Sequence, residues 1–341
     1  MKKKLALTAA KYLGLFALSR WLTRRRIRIL AYHGIWFSPR HFGNHLFMNP
    51  DKFDSRMAWL ADSPYSVISL EQALAAIGSS RMPRNAVVIT IDDGWYGTFR
   101  YMLPAFEKHG LPATLYVYTG KVESQQPLLN ILIPALLNLS DADAVRMTHP
   151  VTGSEIAGTL SDPDAVDRLG DELVAVAEAL TGDAQHAFCS TLCAQLGFDY
   201  DEVLASRQFG FMRYDEIEDA DRRGLDVQLH THSHYLDPDQ PGHVGDEIRV
   251  NREKLRPHVR SSLRHFCYPS GVYSEAMFAE LAQNGVDSAT LVDTGLVRAG
   301  DQPFALKRIL DGQRVDLVEF EAELSGFMQL ARDLRQAIGR S

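Results

Sequence analysis

The stretch at residues 87–94, VVITIDDG, constrains the fold of this 341-residue chain more than any other. Its first five residues are all β-branched, which is typical of a strand buried on both faces of a parallel sheet. Asp92 and Asp93 follow at once, although a buried strand does not tolerate them. At the carboxyl ends of parallel strands, polar groups converge on ligands. The aspartates therefore either act chemically or cap the following helix, and this stretch alone leaves both open.

Strands and helices alternate along most of the chain, which is the pattern of a parallel α/β fold. The other predicted strands are residues 27–32, 66–69, 113–118, 225–229, 264–268 and 288–292. The predicted helices are residues 51–61, 70–77, 98–109, 214–223, 274–284 and about 315–338. The alternation breaks at residues 121–207, where helices at 128–139 and 165–180 and no clear strand indicate a helical insertion.

The charge is distributed unevenly. The net charge is −7, yet residues 1–28 hold nine Lys or Arg and no Asp or Glu. The rest of the chain is acidic, which argues against a nucleic-acid partner, because binding to nucleic acid depends on cations that neutralise phosphates. The apolar run at residues 12–19 is far shorter than the roughly 20 residues that span a bilayer. We interpret residues 1–26 as a basic apolar helix on an anionic membrane surface, with Leu13, Phe16 and Trp21 inserted. The alternative is a helix packed on its own domain.

The cysteines indicate a reducing compartment. There are three of them, Cys189, Cys193 and Cys267, and they form no paired framework of the kind small secreted domains use. No further Cys or His lies near the first two to complete a zinc site, so we expect them in the core. Together with the basic arm, this predicts a cytoplasmic protein peripherally associated with the inner face of the membrane.

His230 and His234 follow the strand predicted at residues 225–229. Their spacing of four brings two imidazoles to one side of a helical turn, which suits a single metal ion. Asp93 also ends a predicted strand, so a facial site of two imidazoles and one carboxylate can form, with open positions for water and substrate. The alternative is a pair of ordinary surface histidines.

Three ordered motifs resemble the signature of the polysaccharide deacetylase, or NodB-homology, family. They are Thr90-Ile-Asp-Asp-Gly94, His230-Thr-x-x-His234 and Phe266-x-x-Pro269-x-Gly271, accompanied by LAYHGI at 30–35 and GLPATLYVYTG at 110–120. The resemblance extends over residues 27–310, and the insertion is the main unmatched part. It implies an irregular (β/α) barrel of about seven parallel strands, with residues 27–341 as one catalytic domain. The implied reaction is hydrolysis of an N-acetyl group on a sugar.

Carried over to this chain, the resemblance assigns roles to individual residues. Asp93, His230 and His234 would bind a divalent metal ion, most often zinc in this family, and Asp92 would be the general base. The backbone N–H of Ser270 matches the position that helps to hold the oxyanion. An amide leaving group also needs a proton, because amide anion is a poor leaving group.

Two positions depart from the family pattern. An arginine of the third motif is replaced by Cys267, with Arg264 upstream as a candidate substitute. Arg308 occupies the place of the histidine that usually acts as the acid, and an arginine does not release its proton at neutral pH. Arg308 could still orient Asp92. We therefore take His33, at the end of the first strand, as the leading candidate for the acid, followed by His232.

Three functions remain open on these grounds. The first is a metal-dependent hydrolase that removes an N-acetyl group from a cell-envelope polysaccharide, lipopolysaccharide or lipid-linked precursor, so the expected partner is an N-acetylated glycan or glycolipid. The second is an O-acetyl esterase, for which a weaker acid suffices because alkoxide leaves more easily. The third is a non-catalytic carbohydrate-binding relative that kept the metal and lost the acid.

Overall fold

The computed structural model describes residues 2–79 and 81–338. Twelve strands occur in this part of the chain. They are β1 (Arg28–Tyr32), β2 (Gly34–Ile35), β3 (Phe47–Met48), β4 (Ser66–Val67), β5 (Ala86–Ile91), β6 (Thr114–Val117), β7 (Ala144–Thr148), β8 (Glu155–Thr159), β9 (Asp226–Leu229), β10 (His265–Cys267), β11 (Ser288–Thr294) and β12 (Leu306–Leu310).

Seven parallel strands close into a barrel, because β1 pairs with both β12 and β5. Around the barrel the order is β1, β12, β11, β10, β9, β6 and β5, and the short strand β4 pairs with the start of β5. The register shifts between β11 and β12 at residues 290–294, which makes the barrel irregular. The predicted irregular barrel of about seven parallel strands is confirmed.

Strand β5 shows how the barrel positions polar groups at one end. All six of its residues are buried. Side chains alternate along a strand, and Ile89 packs in the large cluster shared with the helices, whereas Val88 belongs to a separate cluster inside the barrel. Thr90 and Asp92 fall on the same side as Val88. The strand end therefore carries a carboxylate into the mouth of the barrel.

The helices surround the barrel on its outer side. They are α1 (Lys2–Tyr12), α2 (Leu15–Leu22), α3 (Pro50–Ala61), α4 (Leu70–Ser79), α5 (Leu103–His109), α6 (Thr119–Ser124), α7 (Leu129–Leu139), α8 (Pro163–Glu178), α9 (Gly182–Gln195), α10 (Tyr200–Ser206), α11 (Tyr214–Arg222), α12 (Gly242–Leu255), α13 (Met277–Gln283), α14 (Leu317–Leu324) and α15 (Phe327–Ile338). The terminal helix predicted at 315–338 is two helices, because Gly326 has a left-handed φ of 78° between them. The helix predicted at 98–109 begins with a π-helical turn, Thr98–Met102. Sequence reasoning missed α12 and β12.

The insertion at 121–207 is not purely helical, so the expectation of no strand there was wrong. Strands β7 and β8 form an antiparallel hairpin that packs on the insertion helices. In β7 only Val145 and Met147 are buried, and the residues between them are exposed. This alternation leaves few apolar residues per strand, which is why the hairpin gives a weak signal in the sequence.

The basic arm packs on the domain rather than standing apart from it. It forms two helices that turn at Gly14, whose φ is 78°. Phe16 is buried, with its ring centroid 5.4 Å from that of Phe327 in α15, so the expectation that Phe16 inserts into a membrane was wrong. Leu13 and Trp21 remain 77% and 59% exposed.

Ion pairs join the arm to α14 and the residue before it. Lys3 lies 2.8 Å from Glu319, Lys4 lies 2.9 Å from Asp316, and Lys11 pairs with Glu321. Within the described residues, no helix is both long and apolar enough to cross a membrane. Met1, which belongs to the predicted segment 1–26, lies outside the described residues.

Candidate active site

Three of the predicted site residues converge at the carboxyl ends of β5 and β9. The Nε2 atoms of His230 and His234 lie 3.2 Å and 3.4 Å from Oδ1 of Asp93. All three donor atoms lie within 4.8 Å of one another. Asp93 reaches this point because its φ of 74° turns the chain away from the strand direction.

The remaining polar atoms of His230 and Asp93 have other partners, which leaves their converging atoms for a metal ion. Nδ1–H of His230 donates to the carbonyl oxygen of Cys267 at 2.8 Å, and this fixes the imidazole with Nε2 turned inward. Trp95 donates from Nε1 to Oδ2 of Asp93 at 2.8 Å, so Oδ1 faces the histidines. Two imidazoles and one carboxylate in this arrangement fit a divalent ion such as zinc.

The segment that carries the histidines is an irregular loop, not the helical turn expected from their spacing. Thr231 and His234 have φ values of 69° and 59°. Asn251 of α12 holds this loop: its Oδ1 accepts from the N–H of His230 at 3.1 Å and its Nδ2 donates to the carbonyl oxygen of Thr231 at 2.6 Å. Glu247, one turn earlier, accepts from the backbone N–H of His232 at 2.8 Å. The sequence held no signal for either residue, because α12 itself was missed.

Asp92 forms a buried pair with Arg308 of β12. Nη1 and Nη2 of Arg308 donate to the two carboxylate oxygens, each at 2.7 Å. The other three N–H groups of Arg308 donate to the carbonyl oxygen of Leu291, to Oγ1 of Thr90 and to Sγ of Cys267, at 2.8, 3.1 and 3.2 Å. All five donors of the guanidinium are used. Arg308 therefore orients Asp92 and has no donor left for a substrate.

The pair keeps Asp92 ionised. Burial alone would raise the pKa of the Asp92 carboxyl, but the charge of Arg308 and its hydrogen bonds outweigh burial and lower that pKa below its ordinary value. Burial would lower the pKa of Arg308, and the charge of Asp92 reverses this and raises it. Arg264, the candidate substitute, is 58% exposed in its side chain and pairs with Asp287 at 2.7 Å. It does not support Asp92.

His33 lies beside Asp92, at the end of the neighbouring strand β1. Its Nε2 is 3.5 Å from Oδ2 of Asp92, which is longer than a normal hydrogen bond. Its Nδ1 is buried and has no hydrogen-bond partner among the described residues. Burial lowers the pKa of His33, and the nearby Asp92 and Asp93 offset this only in part. His232, the second candidate for the acid, bonds through Nδ1 to Oγ1 of Thr119 at 3.1 Å and does not line the cavity.

A cavity of about 370 Å³ brings the whole set together. Seven of the residues that the sequence singled out line it, namely His33, Asp92, Asp93, His230, His234, Ser270 and Arg308. Ser270 has a φ of 55° in the turn Pro269–Gly271. Position 271 of this turn requires glycine, because a Cβ on residue 271 would lie 2.3 Å from Cγ2 of Val292. A triad that could hold a metal ion, beside an ionised carboxylate and an imidazole whose Nδ1 has no partner among the described residues, can support hydrolysis.

Comparisons with known proteins agree with this geometry. The family model described as polysaccharide deacetylase matches residues 79–176 and 198–289, more than half of the chain. A Bacillus subtilis (strain 168) relative with that family name, YxkH, is 29% identical over 93 residues, which are 27% of this chain and 32% of that protein. This chain thus matches only about a third of the length of that relative.

Three solved structures share the fold. The Streptococcus pyogenes deacetylase PplD, in complex with acetate, has a TM-score of 0.57 at 18% identity and covers 89% of this chain and 99% of its own. IcaB from Ammonifex degensii has a TM-score of 0.56 at 16% identity, with coverage of 88% and 97%. A de-N-acetylase from Aggregatibacter actinomycetemcomitans has a TM-score of 0.55 at 14% identity, with coverage of 87% and 99%. These structures show the fold, and the family model, which matches more than half of the chain, establishes that the chain belongs to the polysaccharide deacetylase family, whose activity is hydrolytic deacetylation of carbohydrate.

Proposed function

We propose that this protein is a metal-dependent hydrolase that removes an N-acetyl group from a sugar of a cell-envelope polysaccharide, lipopolysaccharide or lipid-linked precursor. One observation carries the proposal: the Asp93, His230 and His234 donor atoms converge in the same cavity as the Asp92–Arg308 pair. The names of the solved neighbours support the same chemistry, since one is a de-N-acetylase and another is a deacetylase in complex with acetate.

Asp93, His230 and His234 would hold the metal ion, and two nitrogen donors with one oxygen donor suit zinc. A divalent ion there supplies Lewis acidity toward the acetyl carbonyl and makes a water molecule more acidic. The residues of the chain would do the rest. Asp92, ionised through its bonds to Arg308, accepts a proton as the water oxygen bonds to the acetyl carbon. The backbone N–H of Ser270 donates to the oxyanion.

His33 would deliver the proton that the leaving nitrogen needs. Its Nε2 lies 3.5 Å from Oδ2 of Asp92, and its Nδ1, which has no partner among the described residues, belongs to the same cavity. As the C–N bond breaks, the nitrogen leaves as a free amine and the acetyl group leaves as acetate. The water oxygen ends in the acetate, one water proton reaches the amine through Asp92 and His33, and the other protonates the released amine, so the atoms and charges balance as acetate and an ammonium ion.

The test measures acetate and free amine released from N-acetylated glycans, together with metal content by mass spectrometry. We expect about one metal ion per wild-type chain and a large loss of bound metal in His230→Ala/His234→Ala. Asp92→Asn should retain metal but lose at least about a hundredfold in turnover, in line with the contribution of a general base. His186→Ala, at an exposed position of the insertion, is the matched control and should change neither quantity. Equal metal content in wild type and the double variant would contradict the site.

The O-acetyl esterase remains the second candidate, because Arg308 stands at the position of the usual acid and alkoxide needs less protonation than an amine. Product analysis separates the two functions: acetate accompanied by free amine supports the N-deacetylase, and acetate with an unchanged amide supports the esterase. Turnover that survives His33→Ala would remove His33 as the acid. A metal-loaded protein that binds glycan without turnover would favour the non-catalytic relative.

We also propose that the arm attaches the protein to the anionic inner face of a membrane. On α2 and the turn before it, Leu13, Leu18, Trp21 and Leu22 are each more than half exposed, although their neighbour Phe16 is buried. Exposed basic side chains border these residues, including that of Arg25. An apolar surface with adjacent cations suits lipid headgroups of negative charge. The free state of all three cysteines is in keeping with a cytoplasmic location.

Co-sedimentation with vesicles tests the attachment. Full-length protein should bind vesicles of phosphatidylglycerol and phosphatidylethanolamine more strongly than vesicles of phosphatidylcholine, and high salt should weaken that binding. Leu18→Glu/Trp21→Glu should abolish it. Val151→Glu, which also adds a charge at an exposed apolar position but on the β7–β8 hairpin, should not. Equal binding of both variants would contradict the attachment through this surface.

A further inference from the structure

The outer part of the active-site cavity is apolar. Five aliphatic side chains line it, and we call them the aliphatic wall: Leu46, Leu128, Ile131, Val292 and Leu310. They come from three regions, namely the loop before β3, the start of α7 in the insertion, and the ends of β11 and β12. The wall therefore depends on the insertion as well as on the barrel.

The cavity offers few polar partners for the hydroxyl groups of a sugar. Outside the seven site residues already described, its lining side chains with polar atoms are Trp95, Asn130 and Tyr268. Trp95 donates to Asp93, and the hydroxyl of Tyr268 donates to the carbonyl oxygen of Phe304 at 3.0 Å. Asn130 is left, together with the hydroxyl of Ser270. Burying sugar hydroxyls without hydrogen bonds is costly, so this wall does not suit a second sugar ring.

Two members of the aliphatic wall are more open to solvent than core residues. Val292 is 51% exposed and Leu310 is 39% exposed, and both lie at the mouth of a cavity. Exposed aliphatic side chains that border a polar site indicate a ligand surface. The cavity volume of about 370 Å³ is near the lower end for small-molecule pockets, which suits one sugar and a short adjoining hydrocarbon segment.

We propose that the substrate is an acetamido sugar joined to a hydrocarbon group, with the sugar at the metal-binding triad and the first carbons of the hydrocarbon on the aliphatic wall. This substrate class rests on the proposed deacetylase function and narrows it. The hydrocarbon is either a branched prenyl chain or the acyl chain of a glycolipid, and both present aliphatic carbons to the wall. An internal residue of a long polysaccharide would place polar sugar rings there instead.

The first experiment measures acetate release from N-acetylglucosaminides that differ only in the aglycone: methyl, butyl, octyl and geranyl. Each methylene that the wall covers should raise kcat/KM by up to about threefold to fourfold. We expect at least a tenfold increase from methyl to octyl. Saturated octyl and branched geranyl chains separate an acyl source from a polyprenyl source. Equal kcat/KM across the series would overturn the inference while leaving the deacetylase function in place.

A second experiment does not depend on turnover. Octyl glucoside, below its micelle concentration, and methyl glucoside lack the acetamide, and calorimetry measures their binding to metal-loaded protein. Octyl glucoside should bind at least tenfold more tightly, and Val292→Asn/Leu310→Asn should remove that difference. Val151→Asn, at an exposed site of the hairpin, should keep it. Tight binding of octyl glucoside, combined with no acetate release from the N-acetylglucosaminides of the first experiment, would support the wall and contradict the deacetylase. Equal binding of the two glucosides would contradict the wall.

Discussion

Replacing Arg308 with methionine should unfold the protein at a much lower denaturant concentration, because it leaves a carboxylate buried without its partner. The side chains of Arg308 and Asp92 are 1% and 4% exposed and share two hydrogen bonds of 2.7 Å. Breaking a buried pair from one side costs about 3–5 kcal/mol. Asp92→Asn should cost a similar amount, since it leaves the guanidinium buried beside a neutral amide. The double variant Arg308→Met/Asp92→Asn removes both charges and should cost less than the two single changes together.

Urea denaturation of the four proteins, all free of metal, measures this coupling. We expect an interaction free energy of about 2–3 kcal/mol, the upper range for directly bonded side chains. The control is the exposed pair of Arg146 and Glu155, whose side chains are 79% and 59% exposed, and Arg146→Met should change stability by less than about 0.5 kcal/mol. Additive losses at positions 92 and 308 would refute the reasoning, because they would mean that each side chain is stabilised independently of the other.

Two further predictions concern the loop and the arm. A Cβ at Gly120 would lie 2.3 Å from the carbonyl oxygen of His232. Gly120→Ala should therefore displace the loop that carries His230 and His234 and weaken metal affinity, measured by titration, by about 10- to 100-fold. The control is Gly78→Ala, whose Cβ would meet no atom within 4 Å and which should leave that affinity unchanged. The hydrogen bond from Lys4 lowers the pKa of the Asp316 carboxyl in the folded protein. The pair therefore stabilises the fold above the ordinary carboxyl pKa of about 4, and this stabilisation is lost as the pH falls through the lowered pKa of Asp316. Hydrogen exchange of α1, corrected for intrinsic rates, should therefore show weaker protection at about pH 3 than at pH 6, and unchanged protection would speak against this role of the pair.

Most of the barrel could be predicted because six of its seven strands give a clear local signal in the sequence, and β12 is the exception. Strands β1, β5 and β6 are buried along their whole length, so they appear in the sequence as continuous apolar runs. The polar residues that end these runs mark the mouth of the barrel: His33 follows β1, and Asp92 and Asp93 follow β5. Closure of the sheet by the pairing of β1 with β5 came from the resemblance to a family, since strand partners are not encoded locally.

Elements that depend on tertiary contacts were missed. Helix α12 is polar on average and its buried apolar side chains are limited to Val244, Ile248 and Leu255, while its buried Asn251 acts through the loop of His230. The arm was misjudged for a similar reason. Phe16 and Trp21 look equivalent in the sequence, and only the position of Phe327 decides which of them is covered.

The two departures from the family pattern, at Cys267 and Arg308, are physically a single change. Strand β11 separates β10 from β12, so sequence order gives no indication that positions 267 and 308 are close. The long side chain of Arg308 crosses the interior and brings its guanidinium to 3.2 Å from Sγ of Cys267. A small residue at 267 leaves the space that this guanidinium fills, and an arginine at both positions would overfill it.

An arginine on β12 can orient Asp92 in the same way as an arginine on β10 would. On β12, however, it occupies the position of the histidine that would have supplied the proton. A replacement acid on β1 lies next to both β12 and β5, because β1 is the strand that pairs with both. His33 ends β1, and its Nε2 lies 3.5 Å from Asp92. The position of the arginine thus accounts for the position of the proposed acid.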